Sequence, residues 1–376
     1  MNLVKFSDVV RRANTKEDRF DTEKEFYVGG EHIETDDPLI TQRGIIKGSL
    51  IGPMFYCGFK KDDVLFVSRN PHLRKCGQVT FDGICSEKTF VLETKDENIL
   101  AQAYLPFVMQ NDRFWSYMET HKSGSVNYFI NWSTLADYTF DLPPIEEQKQ
   151  LATVLWSMVR TREAYRRLLE KTDELVEAKF REMFGDESNK CTLKDVCSII
   201  TDGTHQPPKF VANGIPFLFV SNLTSNRIDY DAKNFISQET YDALIKRTPI
   251  EIGDVLLSTV GSYGHPAVVR SDKKFLFQRH IAYLKPMRDK IDSDFLHTVI
   301  LSSDVQRQIE MKVHGIAQKT LNLSAIKELV IPLPTLERQK RFTEISMQAA
   351  ASKSALQHAL VALQKTYRKL VSERLG

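Results

Sequence analysis

The chain repeats itself at a fixed offset of 191 residues, and this constrains its fold more than any single motif does. The segment GSVNYFINWSTLADYTFDLPPIEEQKQL, from Gly124, aligns without a gap on GIAQKTLNLSAIKELVIPLPTLERQKRF, from Gly315. Gly124 meets Gly315, Asn131 meets Asn322, and Ser133 meets Ser324. Leu142-Pro143 meets Leu333-Pro334, Glu146 meets Glu337, and Gln148 meets Gln339. The same offset carries Asp63-Val64-Leu65 onto Asp254-Val255-Leu256, and Gly185 onto Gly376. Chance does not produce an ordered series at one offset. The chain is two copies of one unit.

Each unit divides in two. Residues 1–143 and 187–334 hold short β-type runs: YVGGEHI and DVLFVSR in the first, and IPFLFVSNL, GDVLLSTV and KFLFQRHIAYL in the second. Gly, Pro, Asn and Asp punctuate them. Helical patches, AQAYLPFVMQNDRFWSYM and DSDFLHTVILSSDVQRQIEMKV, close each part. The fold class expected is α+β, with two similar α/β domains forming a pseudo-two-fold internal repeat.

The remainders, 144–186 and 335–376, differ in kind. Beyond Pro143-Pro144 and Pro332/Pro334, residues 146–184 and 337–374 contain no Pro or Gly. Leu151, Leu155, Met158, Tyr165, Leu169, Val176 and Met183 fall on alternating four- and three-residue steps or their seven-residue sum. Phe342, Ala349, Leu356, Leu360, Leu363, Tyr367 and Leu370 repeat the pattern in the second copy. A stripe this narrow predicts a coiled-coil seam on two long helices, with Gly185 and Gly376 as their stops. The second helix is expected to run back along the first, as a long antiparallel pair separating the two domains. At 1.5 Å per residue such a rod spans roughly 55 Å, about sixteen base pairs of duplex.

The order of globular part, LPPIEEQ with helix, globular part, LPTLERQ with helix resembles the specificity (S) subunits of type I restriction–modification systems. DGTHQPP (Asp202–Pro208) before GIPFLFVSNL, GDVLLSTVGSYG (Gly253–Gly264), VSRNPHLRKCG (Val67–Gly77) and FDGICS (Phe81–Ser86) look like recognition-domain motifs of that family. The resemblance implies two target recognition domains on conserved spacer helices, with double-stranded DNA as ligand. It also implies two modification (methyltransferase) subunits docked on the rod, and restriction/translocase subunits beyond them. S-adenosylmethionine, ATP and Mg would belong to those partners, so no cofactor and no catalysis are expected in this chain. DGTHQPP occurs only in the second half and RNPHLRK only in the first, so the expected target is bipartite and asymmetric.

Phosphate affinity calls for Lys and Arg, and base reading for Arg, Asn, Gln, His and Thr. The first-half candidates are Arg43 and Lys47, then Arg69, Asn70, His72, Arg74 and Lys75 in a basic loop. The plain alternative for that loop is a solvated charged surface. The second-half candidates are Thr204, His205 and Lys209, then Ser262, Tyr263 and His265, then Gln278, Arg279 and His280. For DGTHQPP the rival is a structural turn set by Asp202 and Gly203.

Other chemistry is thinly represented. The chain has no GxxxxGK[ST] loop, and no GxGxxG opening a helix. Asn70-Pro71-His72-Leu73 departs from a methyltransferase NPP[YF] motif at its last two positions. Asp82 with Glu93 and Lys95 has the outline of a metal-dependent nuclease site, but the second half has no acids there. Cys57, Cys76, Cys85, Cys191 and Cys197 show no CxxC spacing, so neither disulfides nor a metal site are expected. No apolar run reaches membrane length or suits a signal peptide, so the expected location is the cytoplasm. The same architecture leaves open a specificity subunit of a related type II-like system, and a net charge of +2 permits a two-headed coiled-coil adaptor binding proteins.

Overall fold

The computed structural model describes residues 2–315 and 319–375. Gly376, expected to stop the second helix, and Ile316, Ala317 and Gln318 of the repeat lie outside the described residues. The chain forms two units, Met1–Leu168 with Leu356–Gly376, and Leu169–Ala355.

In the first unit the edge strand Asn2–Lys5 pairs antiparallel with Thr139–Leu142, bringing the ends of the globular part together. A five-stranded sheet runs in the order Val10–Arg12, Thr89–Thr94, Val64–Val67, Cys76–Val79, Leu39–Ile40. A four-stranded sheet runs Gly44–Ile45, Phe26–Val28, Gly83–Ser86, Phe55–Phe59. Strand alternation divides the core. Val64, Phe66, Phe90 and Leu92 face the helices Leu105–Val108 and Asp112–Thr120, while Leu65 and Val91 face Val28, Phe59 and Cys85 of the second sheet.

The second unit repeats this plan. Lys190–Thr192 pairs with Val330–Pro332. A four-stranded sheet runs Cys197–Asp202, Ile281–Pro286, Val255–Ser258, Pro266–Val268. Val255, Leu257, Ala282 and Leu284 take one face, and Leu256, Ile281 and Tyr283 the other. A three-stranded sheet of Phe235–Ile236, Ile215–Leu218 and Leu276–Phe277 completes the unit.

Three of the expected strands are broken. YVGGEHI is a strand only to Val28, because the His32 ring accepts the Gly29 amide (2.9 Å) and turns Gly30–His32 into a 3-10 helix. IPFLFVSNL breaks in the same way, where Asn222 Oδ1 accepts the Phe219 amide (3.0 Å). KFLFQRHIAYL splits into Leu276–Phe277 and Ile281–Pro286 around Gln278–His280.

The long helices are Ile145–Phe184 and Leu336–Leu375. After the first, Gly185 donates its amide to Arg181 O (2.8 Å), and a β-carbon there would lie 2.6 Å from that oxygen. Within the second unit the helix segments run antiparallel. Phe342 touches Phe180 and Phe184, whereas Lys353 pairs with Asp173 further back along the first helix. Within the first unit, Tyr367, Leu370, Val371 and Leu375 join the core around Leu151, Leu155, Trp156 and Val159. Leu155 and Phe342 are buried. Leu151, Met158, Tyr165, Leu169, Val176, Met183, Ala349, Leu356, Leu360, Leu363, Tyr367 and Leu370 are half-buried. Between Arg162 and Phe184, and between Thr343 and Val371, no residue is fully buried.

Each helix starts on a buried glutamine that holds three backbone groups. Gln148 accepts the Ala101 amide (3.0 Å) and donates to Ile99 O (2.8 Å) and Pro143 O (2.8 Å). Gln339 accepts the Asp292 amide (2.8 Å) and donates to Lys290 O (3.0 Å) and Pro334 O (2.8 Å). Every pair of equivalents differs by 191, so the duplication extends to single hydrogen bonds.

Candidate nucleic-acid interface

In each unit the central hairpin closes through a loop that carries candidate residues. In the first, loop 68–75 joins Val64–Val67 to Cys76–Val79. Asn70 (φ 53°) and Arg74 (φ 48°) sit in the left-handed region on either side of the turn Pro71–Leu73. The Arg69 guanidinium lies 5.2 Å from the centre of the Phe129 ring and 3.5 Å from Asn127 O. Asn70 donates its amide to Tyr128 O (2.9 Å), and His72 is exposed. Lys75 donates to Gly30 O.

Arg69, Asn70, Lys75 and Lys88 line an open groove of about 360 Å³, walled by Phe55, Val67 and Leu73. Cations over apolar walls suit a polyanion whose bases present flat faces. Lys88 is absent from the residues singled out in the sequence. The repeat offset could have found it, because 191 positions on stands Arg279.

Arg43 and Lys47 do not line this groove. Arg43 stacks over Phe26 (3.9 Å) and Phe81 (4.7 Å) beside the four-stranded sheet, and Lys47 is exposed next to Gly48. Arg74 is already engaged, 2.7 Å from Asp36 and 2.9 Å from Asp112.

In the second unit, loop 259–265 occupies the matching place between Val255–Ser258 and Pro266–Val268. Gly261 (φ 72°) and Gly264 (φ 80°) take the left-handed positions. Ser262 is exposed, Tyr263 rests half-buried on the core, and His265 Nδ1 lies 2.9 Å from Asn226 Oδ1. Backbone bonds gather the other candidates here. Thr204 bridges Gln278, the Arg279 amide donates to Thr204 O (3.0 Å), and the Thr259 amide donates to His280 O (2.9 Å). Burial, and then the neighbouring Arg279 charge, hold the His280 imidazole below its ordinary pKa.

The Asp202 carboxylate lies 2.8 Å from His205 Nε2 and 2.6 Å from the Arg247 guanidinium, fixing the imidazole. Gly203 is required, because a β-carbon there would sit 2.2 Å from Phe277 O. DGTHQPP thus runs from the end of strand Cys197–Asp202 through a bend at His205 and Gln206, with Asp202 and Gly203 in structural roles beside polar side chains. Lys209 is exposed. Arg247 carries no motif and lies far from His205 in the chain, so nothing in the sequence marks it.

The two acids of the possible nuclease outline are each engaged with cations. Asp82 pairs with Lys24 (3.0 Å), and Glu93 with Arg11 (2.7 Å). Among the described residues no three His, Cys, Asp or Glu side chains are placed to share a metal ion. No helix among them is long and apolar enough to cross a membrane.

Comparison with known proteins supplies the family. The profile of the type I restriction modification DNA specificity domain matches residues 5–171 and 185–359, one copy in each half. Among curated proteins, the chain is 24% identical over 239 residues to the type I restriction enzyme EcoBI specificity subunit of Escherichia coli, covering 55% of this chain and 50% of that one. It is 20% identical over 293 residues to the MjaVIII specificity subunit of Methanocaldococcus jannaschii, covering 70% and 66%. The matched regions thus span about half and just under two thirds of those relatives' lengths.

Two solved structures share the fold along almost the whole chain. One is the type I restriction-modification S subunit from M. genitalium, with TM-score 0.62, 14% identity, and 98% and 94% coverage. The other comes from work on complex assembly and conformational transition of a type I R-M system, with TM-score 0.56, 20% identity, and 98% and 96% coverage. With a twofold profile match laid over a duplicated fold, the chain belongs to the type I restriction–modification DNA specificity family.

Proposed function

We propose that the chain is a non-catalytic specificity subunit, acting in the cytoplasm and reading a DNA target of two unlike half-sites, one per unit. One observation carries this reading. The two hairpin loops share a place in the repeated fold but differ in content. Residues 69–75 offer Arg69, Asn70, His72 and Lys75 beside Lys88, whereas residues 260–265 offer Ser262 and Tyr263 beside Gln278, Arg279 and His280. A shared scaffold with divergent loop chemistry suits the reading of two different base sequences. Arg43, Lys47, Thr204, His205 and Lys209 extend the proposed surfaces. The proposed division of the chain is recognition domains at 1–143 and 187–334, with spacers at 144–186 and 335–376.

On this reading, two modification subunits dock on the spacer helices and bring S-adenosylmethionine, and restriction/translocase subunits bring ATP and Mg. The helices retain exposed apolar residues, Val154 on the first unit's segment and Leu175 and Met347 on the second's, which suit partner helices. The test is selection of duplexes from a randomised pool by the full chain assembled with its modification subunits. Two short, unlike, separated motifs are the expected result, and binding without sequence preference would refute it. Replacing Arg69 and Lys88 with alanine should weaken binding and flatten its salt dependence.

A further inference from the structure

Resting on that reading, we infer that Arg74 and His265 are positioning residues that latch the two DNA-reading loops and set base preference without touching DNA. Asp36 (φ 55°) and Asn226 (φ 57°) both hold the left-handed conformation, and each lies four residues beyond a side chain, His32 or Asn222, that closes a 3-10 turn. They are therefore the same point of the repeated fold. Left-handed backbone costs a non-glycine residue about 1 kcal/mol or more, and so persists where surrounding contacts hold it.

Each of these residues grips the adjoining loop. Arg74 Nε lies 2.7 Å from Asp36 Oδ1, an ion pair rather than an aligned hydrogen bond, and the Asp36 amide donates to Arg74 O (3.3 Å). His265 Nδ1 meets Asn226 Oδ1 at 2.9 Å. Backbone pairing matches the two loops, because Val67 N donates to Lys75 O and Ser258 N to His265 O. The gripping side chains thus leave from neighbouring positions at the same loop exit. Both grips are also anchored behind. Asp37, beside Asp36, is buried against Arg162 and Arg166 of the long helix. Asn226 O is held by His297 Nε2 (3.1 Å) from helix Ser293–Leu301.

Arg74 is itself left-handed, where the second loop has glycine at Gly264. A residue held in that conformation, with its guanidinium shared between Asp36 and Asp112, is committed to shaping the loop. The polar groups left to face a ligand are those of Arg69, Asn70, His72 and Lys75 in the first loop.

The test compares Arg74→Gly, Asp36→Ala and the double variant in the full chain, on the duplex selected by the wild type. Arg74→Gly leaves an unstrained backbone, as in the second loop. Positioning predicts that each single variant loses about tenfold in preference at the first half-site, equivalent to about 1.4 kcal/mol, with the double variant no worse. The second half-site and the salt slope should be unchanged, and Asn226→Ala should mirror the effect at the second half-site. If Arg74→Gly flattens the salt slope while Asp36→Ala leaves preference intact, Arg74 contacts phosphate and the proposal fails. It fails equally if neither variant alters preference. If the wild type selects no sequence, the DNA reading itself fails.

Discussion

Replacing Gln148 with alanine should destabilise the first unit by about 3 to 5 kcal/mol, more than almost any other polar substitution on the long helices. The side chain is fully buried and serves the Ala101 amide, Ile99 O and Pro143 O. Three bonds at about 1 kcal/mol each, with partners left dry, account for most of the loss, and the removed methylene adds about 1 kcal/mol. Trp115, Trp132 and Trp156 all lie in this unit, so denaturant unfolding followed by tryptophan fluorescence reports it selectively. Hydrogen exchange at the Ala101 amide gives a local readout. Gln148→Glu should cost more at pH 8 than at pH 5, because two carbonyl oxygens face the new carboxylate and only its protonated form can donate. A cost below about 1 kcal/mol, or unchanged protection at Ala101, would show that the bonds are not holding the helix start.

Burial, and then the Glu93 charge, lift the Asp63 carboxyl to about 6. The folded chain therefore keeps a proton that the unfolded chain releases near pH 4, and stability falls as pH rises from about 4 to 6, by up to about 3 kcal/mol. Asp63→Asn should remove that fall in urea titrations, and a wild type that instead gains stability on the variant across this window would refute the sign. Arg162→Met should cost about 3 to 5 kcal/mol in the same fluorescence assay, because it leaves the buried Asp37 carboxylate with the Leu39 amide and, as its one cation, the more distant Arg166. A neutral result would mean that water reaches Asp37.

The duplication and the helices were legible because both depend on spacing. An offset needs no structural knowledge, and thirty-odd residues without Pro or Gly have few alternatives to a helix. Interruptions inside apolar runs were not legible. FLFVSN reads as strand until Asn222 folds back on the Phe219 amide, a contact set by a single torsion. The glutamines aligned at offset 191, yet a polar residue in a first helical turn ordinarily reads as solvated, and only the loops at Ile99–Ala101 and Lys290–Asp292 reveal what they hold. At the proposed interface, residue type pointed to a loop but not to roles within it. Arg74 and Lys75 look alike in sequence, while an acid at Asp36 that no local pattern connects to them claims the first.

The first unit draws its core from residues near opposite ends of the chain, since Tyr367, Leu370 and Val371 complete the packing around Trp156. During synthesis, the globular part of the first unit emerges early, one apolar side uncovered, while some two hundred further residues are translated. The second unit, Leu169–Ala355, is contiguous and closes ahead of it. The half made first is thus the last whose core can be completed, and the one exposed longest to chaperones and proteases.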